Sequence, residues 1–347
     1  MDKLRLYVDI AHPAYAHALR YFIGEMKHRG HSVLATARDK DLTHCLLNAW
    51  GIEFASRGQG SFSLAGKATY LAGITARLLP QIRKFKPDVI VSWSSYHAAL
   101  IGRLLGKPVL TFEDTETVPF QHRLNSLLST RMITPASFEK DFGKKHIRFD
   151  GYKELASLHP DRFESLPLPS VVREPYILLR FVSWTAYHDR GHPGISEEMK
   201  KKIAVALSEF ANVYISSEIP LSPDLERYRL PVGCEMVHSL LSGARLLFGE
   251  SASMAAEAAV LGVPAIFIDN TGRGYTRELE KRYGLLVNFR EDQQSVQAAL
   301  DRAVALLSDP GTQESWQQKR RKMLSGKTDL PSWMADLAEA AARGSLP

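Results

Sequence analysis

Three small residues, Ser251, Ala252 and Ser253, open a run with one acid, Glu257, in the stretch GESASMAAEAAVLGVPAIFID. Free N–H groups at a helix start, with the aligned peptide dipoles behind them, make an anion site. Small side chains let a phosphate reach that backbone. Glu257 sits about one turn further on; it would repel an adjacent phosphate but accept hydrogen bonds from a neighbouring diol such as a ribose. The alternative is a serine-capped helix with an exposed glutamate favourable to the dipole.

Four other loops combine polar side chains of catalytic type. In VDIAHPAYAHALR, Asp9 ends an apolar run, and His12 and His17 bracket a helix start marked by Pro13. A histidine there can serve as a general base or contact substrate, or it can cap the helix. In VSWSSYHAAL, Ser94 and Ser95 can cap a helix or, with His97, present polar groups to an acceptor. In LTFEDTETVPF, Glu113, Asp114 and Glu116 could bind a metal, act as base or hold a sugar hydroxyl; a solvated acidic turn is the other reading. Asp114 is expected to point inward. In LLRFVSWTAYHDRGHPGIS, Arg180 precedes Ser183, His188, Asp189 and His192, a set suited to an anion or sugar. A metal on His188, Asp189 and His192 would need a further ligand from elsewhere, and no DxD triad supplies one.

The elements that must position these residues alternate. Short apolar runs at 3–10, 31–38, 52–58, 88–93, 107–114 and 130–135 read as strands, with helices at 15–30, 40–51, 67–87 and after 95. The proline-rich segment 151–174 reads as a connector. Alternation then resumes, with strands at 176–181, 212–218, 245–250, 263–269 and 285–289 and helices between them. This pattern predicts two doubly wound, Rossmann-like α/β domains with parallel sheets facing a cleft, over 1–150 and 175–311. Helices over 312–347 could pack back on the first domain. Ligands of such sheets bind beyond the carboxyl ends of the strands, where all five loops fall.

The chain has 347 residues, 45% apolar and 24% charged, as expected of a globular protein. No apolar run approaches the ~20 residues of a membrane span, and the N-terminus lacks a signal-peptide layout. A net charge of +6 favours an anionic partner, but scattered basic residues and the lack of any DNA- or RNA-binding signature disfavour nucleic acid. Cys45 and Cys234 form no CxxC, so neither a disulfide framework nor a zinc site is expected, and a reducing cytoplasm is the simplest location.

The small turn, Glu257, Gly262 and Pro264 resemble the nucleotide-sugar signature of GT-B glycosyltransferases. They are similar to the enzyme that adds N-acetylglucosamine to lipid-linked peptidoglycan precursor and to UDP-N-acetylglucosamine 2-epimerases. DIAHPAYAHALRYFIGEMKHRGHSVLATAR and RFVSWTAYHDRGHPGI more closely resemble a little-studied domain family labelled predicted glycosyltransferases. The resemblance implies a GT-B-like transferase for a nucleotide diphosphate sugar, UDP-linked, with no obligatory metal or other cofactor. Glu257 would hold the ribose; Ser251, Ala252, Ser253 and Arg180, with Ser183, His188 and Asp189, the rest of the donor. His12 and Asp114 would be catalytic, and His17, Ser94, Ser95 and His97 would meet the acceptor. That acceptor would be a glycan, a lipid-linked or a small molecule, and peripheral contact with the inner face of a membrane is allowed. An epimerase on the same scaffold and a non-catalytic nucleotide-sugar-binding protein are the rivals. In this family's terms the turn ESASM departs from the glycines usual in relatives.

Overall fold

The computed structural model describes residues 3–40, 42–61, 64–182, 194–217, 220–230 and 232–347. The chain divides into two units, Met1–Ser157 with Thr328–Pro347, and Leu158–Lys327. Both are parallel-sheet α/β structures, as the alternation predicts.

In the first unit β1 (Arg5–Ile10), β2 (Ser32–Ala37), β3 (Ala55–Ser56), β4 (Val89–Trp93), β5 (Val109–Phe112), β6 (Arg131–Pro135) and β7 (His146–Phe149) form one sheet. Its order is β3-β2-β1-β4-β5-β6-β7. The helices are α1 (Pro13–His28), α2 (Thr43–Ala49), α3 (Leu64–Phe85), α4 (Tyr96–Leu105), α5 (Pro119–Leu128) and the short α6 (Leu155–Leu158) at the unit boundary. Strand side chains alternate between faces, so each strand feeds two cores. Leu6, Val8 and Ile10 join one core with α1, while Tyr7 joins the other with α3 and α4. Sheet order reverses between β1 and β4, and that switch point brings Asp9 into register with Ser92.

The second unit has β8 (Tyr176–Phe181), β9 (Asn212–Ser217), β10 (Leu247–Gly249), β11 (Ala265–Ile268) and β12 (Leu286–Phe289). They pair in the order β12-β11-β10-β8-β9. Its helices are α7 (Glu197–Ser208), α8 (Pro223–Glu226), α9 (Val237–Gly243), α10 (Ala252–Leu261), α11 (Gly274–Lys281), α12 (Gln293–Ser308) and α13 (Thr312–Leu324). Here the order reverses between β8 and β10, which pairs Gly249 with Arg180.

The last helix, α14 (Leu330–Ala342), belongs to the first unit. Leu330, Met334, Ala335 and Ala338 enter the α1 core. Arg29 at the end of α1 fastens it, with Nη1 2.6 Å from Asp336 and 3.1 Å from Glu339.

The structure departs from expectation in several places. The third strand shrinks to two residues. β7, α5 and α9 were not anticipated: each is short and mixes polar with apolar residues, so its period is hard to read. Neither cysteine is a free thiol, although the sequence suggests no disulfide framework. Among the described residues no helix is long and apolar enough to cross a membrane.

Gly249 is required by a close approach. A Cβ there would run into the carbonyl oxygen and backbone nitrogen of Arg180 on the adjacent strand. Gly249→Ala is therefore expected to cost about 1–3 kcal/mol in urea unfolding, because backbone atoms of a central strand cannot yield as a side chain can.

Candidate functional site

At the end of β1, Asp9 is fully buried. Thr36 donates to its Oδ1 at 2.6 Å and Arg57 Nε lies 3.0 Å from the same oxygen. Ser95 donates to Oδ2. Ser95 also caps α4, accepting from the Ala98 N–H at 3.3 Å. Its neighbour Ser94 takes a left-handed backbone, φ 54°, and donates to Glu113. Both serines are buried, with their hydroxyls engaged by these acids. His97 is interior too: it is 1% exposed, and neither ring nitrogen has a hydrogen-bond partner. Burial lowers its pKa to about 4, which keeps it neutral.

The acidic run at the end of β5 is interior rather than solvated. Glu113 and Asp114 are both buried, so Asp114 is not singled out by strand alternation. Glu113 Oε1 accepts the N–H groups of Asp114 and Thr115, each at 3.0 Å, and Oε2 takes the Ser94 hydroxyl. Burial first, and then Asp114, raises the Glu113 pKa to about 7. His122 lies 3.7 Å from Glu113 but is no charged partner: burial and then Lys140 lower its pKa to about 4, and its Nε2 is 2.9 Å from the Thr115 carbonyl. Asp114 accepts from Trp93 Nε1 at 3.3 Å and from Lys153 Nζ at 2.6 Å.

His12 is drawn toward this cluster by aromatic contacts. Its ring stands 5.5 Å from that of Tyr15, which stacks at 5.9 Å on Trp93. His12 is also the N-cap of α1, with Nδ1 accepting from the Ala14 N–H at 3.2 Å. A capping Nδ1 leaves the proton of a neutral ring on Nε2. His17 lies one turn along α1, its ring edge-on to Trp50 at 4.8 Å.

In the second unit, the end of β8 and the turn after β10 are joined by Glu250. Its two oxygens accept from Val182 N–H at 3.2 Å and Ile195 N–H at 2.7 Å, while its own N–H bonds the Arg180 carbonyl at 2.9 Å. Arg180 donates from Nη1 to Ser216 at 2.8 Å. Ser183, His188, Asp189 and His192 lie outside the described residues.

α10 begins immediately afterwards. Ser251 caps it by accepting from Met254 N–H at 3.3 Å. Ser251, Ala252 and Ser253 are half-exposed, whereas every residue from Met254 to Leu261 is buried, and Gly262 ends the helix at φ 76°. The open turn is thus the uncovered end of an otherwise interior helix. Glu257 is 7% exposed, so the exposed-glutamate reading does not hold. His238 Nε2 on α9 lies 3.2 Å from its Oε1, an ion-pair distance outside hydrogen-bond geometry. Helical side chains lean toward the N-terminus, which aims Glu257 back at the open turn.

Sequence reasoning missed Glu250, Glu113 as the acid with the raised pKa, and His238. Glu250 had a signal, since it directly follows a strand; the other two depend on partners remote in sequence. Among the described residues no group of three or more His, Cys, Asp or Glu could hold a metal ion.

A family model described as "Protein of unknown function (DUF354)" matches residues 4–272, and the chain belongs to that family. An uncharacterized protein of Methanocaldococcus jannaschii is 23% identical over 288 residues, 77% of this chain and 82% of the relative. Among solved structures, a UDP-N-acetylglucosamine 2-epimerase is similar at TM-score 0.67 and 14% identity, covering 100% of this chain and 99% of its own. The UDP-GlcNAc 2-epimerase from Neisseria meningitidis, bound to UDP-GlcNAc, is similar at TM-score 0.63 and 15% identity over 98% of each chain. The spinosyn rhamnosyltransferase SpnG is similar at TM-score 0.61 and 14% identity over 96% of this chain and 99% of its own. These likenesses show a GT-B-type fold.

Glu113 makes stability depend on pH. Its folded pKa, about 7, lies above the ordinary 4.5, so the folded state holds the proton more tightly. That contribution is full below the unfolded pKa and is lost as pH rises through about 7. Glu113→Gln should therefore gain stability relative to the parent between pH 4.5 and 7 and hold a constant difference above it. Urea unfolding across that range checks this; a pH-independent difference would refute it.

Proposed function

We propose that this member of the DUF354 family binds a nucleotide diphosphate sugar, UDP-linked, in its second unit and transfers the sugar to a hydroxyl acceptor. The acceptor would be a glycan, lipid-linked or small-molecule alcohol of glycan or surface polysaccharide assembly. The observation that carries this reading is Glu257. Glu250 and Glu291 have both oxygens met by backbone N–H groups, but no hydrogen bond among the described residues reaches the carboxylate of the buried Glu257. A ribose diol would supply donors to it.

In this proposal the amides of 251–253 hold the diphosphate, whose charge grows as the sugar leaves, and Arg180 adds a cation. Helix amides and arginine provide the positive charge, so the scheme does not require a metal. Ser183, His188 and Asp189 would complete the contacts to the donor. His12 and Asp114 are the proposed proton acceptors for the incoming hydroxyl. For His12 the Ala14 cap must break before Nδ1 can take a proton. Asp114 would likewise have to give up part of its contact with Lys153 or Trp93 to take a proton. His17, Ser94, Ser95 and His97 would act on the acceptor indirectly, by shaping the strand ends.

Thermal shift with UDP, GDP, CDP and dTDP sugars tests the donor, because a ligand that binds only the folded state raises the melting temperature. A UDP sugar should raise it most, and Glu257→Gln should lower the affinity roughly 10-fold or more, the worth of a hydrogen bond to a charged group. A melt unmoved by every nucleotide sugar would sink the donor assignment.

A second reading is epimerisation of the same donor, the reaction named for two of the similar solved structures. Incubation with UDP-N-acetylglucosamine alone separates the two: an epimerised product without any acceptor selects epimerisation, and unchanged sugar rejects it.

A further inference from the structure

Among the described residues the two most exposed large apolar side chains lie on one helix: Phe120 at 65% and Leu127 at 75%, both on α5. Seven residues make about two turns, so the two share a face, and the exposed Arg123 stands between them. The other face holds the helix in place. His122 and Asn125 are buried, and Gln121 Nε2 donates to the Ser94 hydroxyl at 2.8 Å. A single exposed leucine is ordinary, but two projecting side chains on one ten-residue helix form a patch.

The patch runs into an open depression of about 560 Å³ lined by His122, Arg123, Ser126, Leu127, Phe142 and Lys145. Its charge is one-sided. Residues 118–138 contain no acid, and Lys144 and Lys145 stand in the turn 143–145 beside the end of α5. Lys145 Nζ donates to the Ser126 and Ser129 carbonyls at 2.8 and 3.0 Å, which seats that turn against the helix. The acid next to the turn, Asp141, accepts from the Gly143 N–H at 3.1 Å and lies 2.9 Å from His146 Nδ1.

A protein partner is met by an apolar centre with charge at the rim. Here the cation sits between the two apolar side chains. That mixture suits a bilayer, where anionic headgroups overlie an apolar interior and long basic side chains reach back to the phosphates. We infer that the outer face of α5 docks on an anionic lipid surface, with Phe120 and Leu127 entering below the headgroups and Arg123, Lys144 and Lys145 meeting lipid phosphates. The docking stands on this face alone. Its consequence for the acceptor rests on the proposed transfer: α5 begins just after the loop of Glu113 and Asp114, and His122 Nε2 is 2.9 Å from the Thr115 carbonyl of that loop. A docked α5 brings that strand end to the lipid surface and selects a lipid-linked acceptor.

Flotation of the full chain, with no nucleotide sugar present, tests the docking on vesicles of phosphatidylcholine alone or with one third phosphatidylglycerol. The parent should float with the mixed vesicles and not with the neutral ones. Phe120→Ser and Leu127→Ser should each lower the partition roughly 10-fold, the worth of withdrawing one large apolar side chain from lipid. Arg123→Gln should lower it about fivefold, and raising NaCl from about 0.05 to about 0.5 M should weaken it further by screening. Val205→Ser, at an exposed valine of the second unit, should leave it unchanged.

A parent that floats with neither vesicle overturns the inference, as does equal binding to both. A loss in Val205→Ser equal to that in Phe120→Ser also overturns it, since general stickiness would then explain the partition. Dimers that Leu127→Ser dissociates, with no flotation, overturn it in favour of a second copy of the chain. None of these results touches the donor assignment, which the thermal shift with nucleotide sugars reads separately.

Discussion

A carboxylate withdrawn from water must be met by donors or by a cation, and this chain buries several at the ends of parallel strands. Asp9, Glu113 and Asp114 in the first unit, with Glu250 in the second, are each satisfied by groups that belong to different loops. Satisfying them therefore fixes where those loops run. Arg57 is drawn to the end of β1, Lys153 to the end of β5, and the backbone at Val182 and Ile195 to the turn before α10. The acids act as anchoring points for the very segments that a parallel sheet leaves for ligand binding.

Glu257 is held differently: it is buried, its near neighbour His238 stands at an ion-pair distance, and no hydrogen bond among the described residues reaches its carboxylate. It also lies on the helix whose first turn is uncovered and whose remainder is interior. The capped start of α10 and the buried acid further along it are the two features on which the proposed nucleotide-sugar site rests.

Much of this could be read from sequence, because parallel strands buried on both faces write themselves as apolar runs between amphipathic ones. β1, β4, β8 and β11 are of this kind. The turn at 251–253 was legible because helix starts reveal themselves through small and capping residues. Partnerships across the chain were not. Nothing local marks Lys153 as the cation for Asp114, or His238 as the neighbour of Glu257. The tendency of alternation to fail just beyond a strand hid the burial of Glu113, whose backbone turns to give two amides to its own carboxylate. His12 looked like a free base because its own helix supplies the N–H that occupies Nδ1, and the sequence cannot show which nitrogen is engaged.

The first unit is assembled from both ends of the chain, with the whole of residues 158–327 spliced between its two pieces. Leu330, Met334, Ala335 and Ala338 sit in the same core as Leu6, Val8 and Ile10, so part of the core around α1 stays uncovered until the closing helix has been synthesised. The second unit has no such debt to distant sequence and can condense as soon as its own strands have emerged. On the ribosome, then, the order of maturation runs opposite to the order of translation: the part made first is the part completed last.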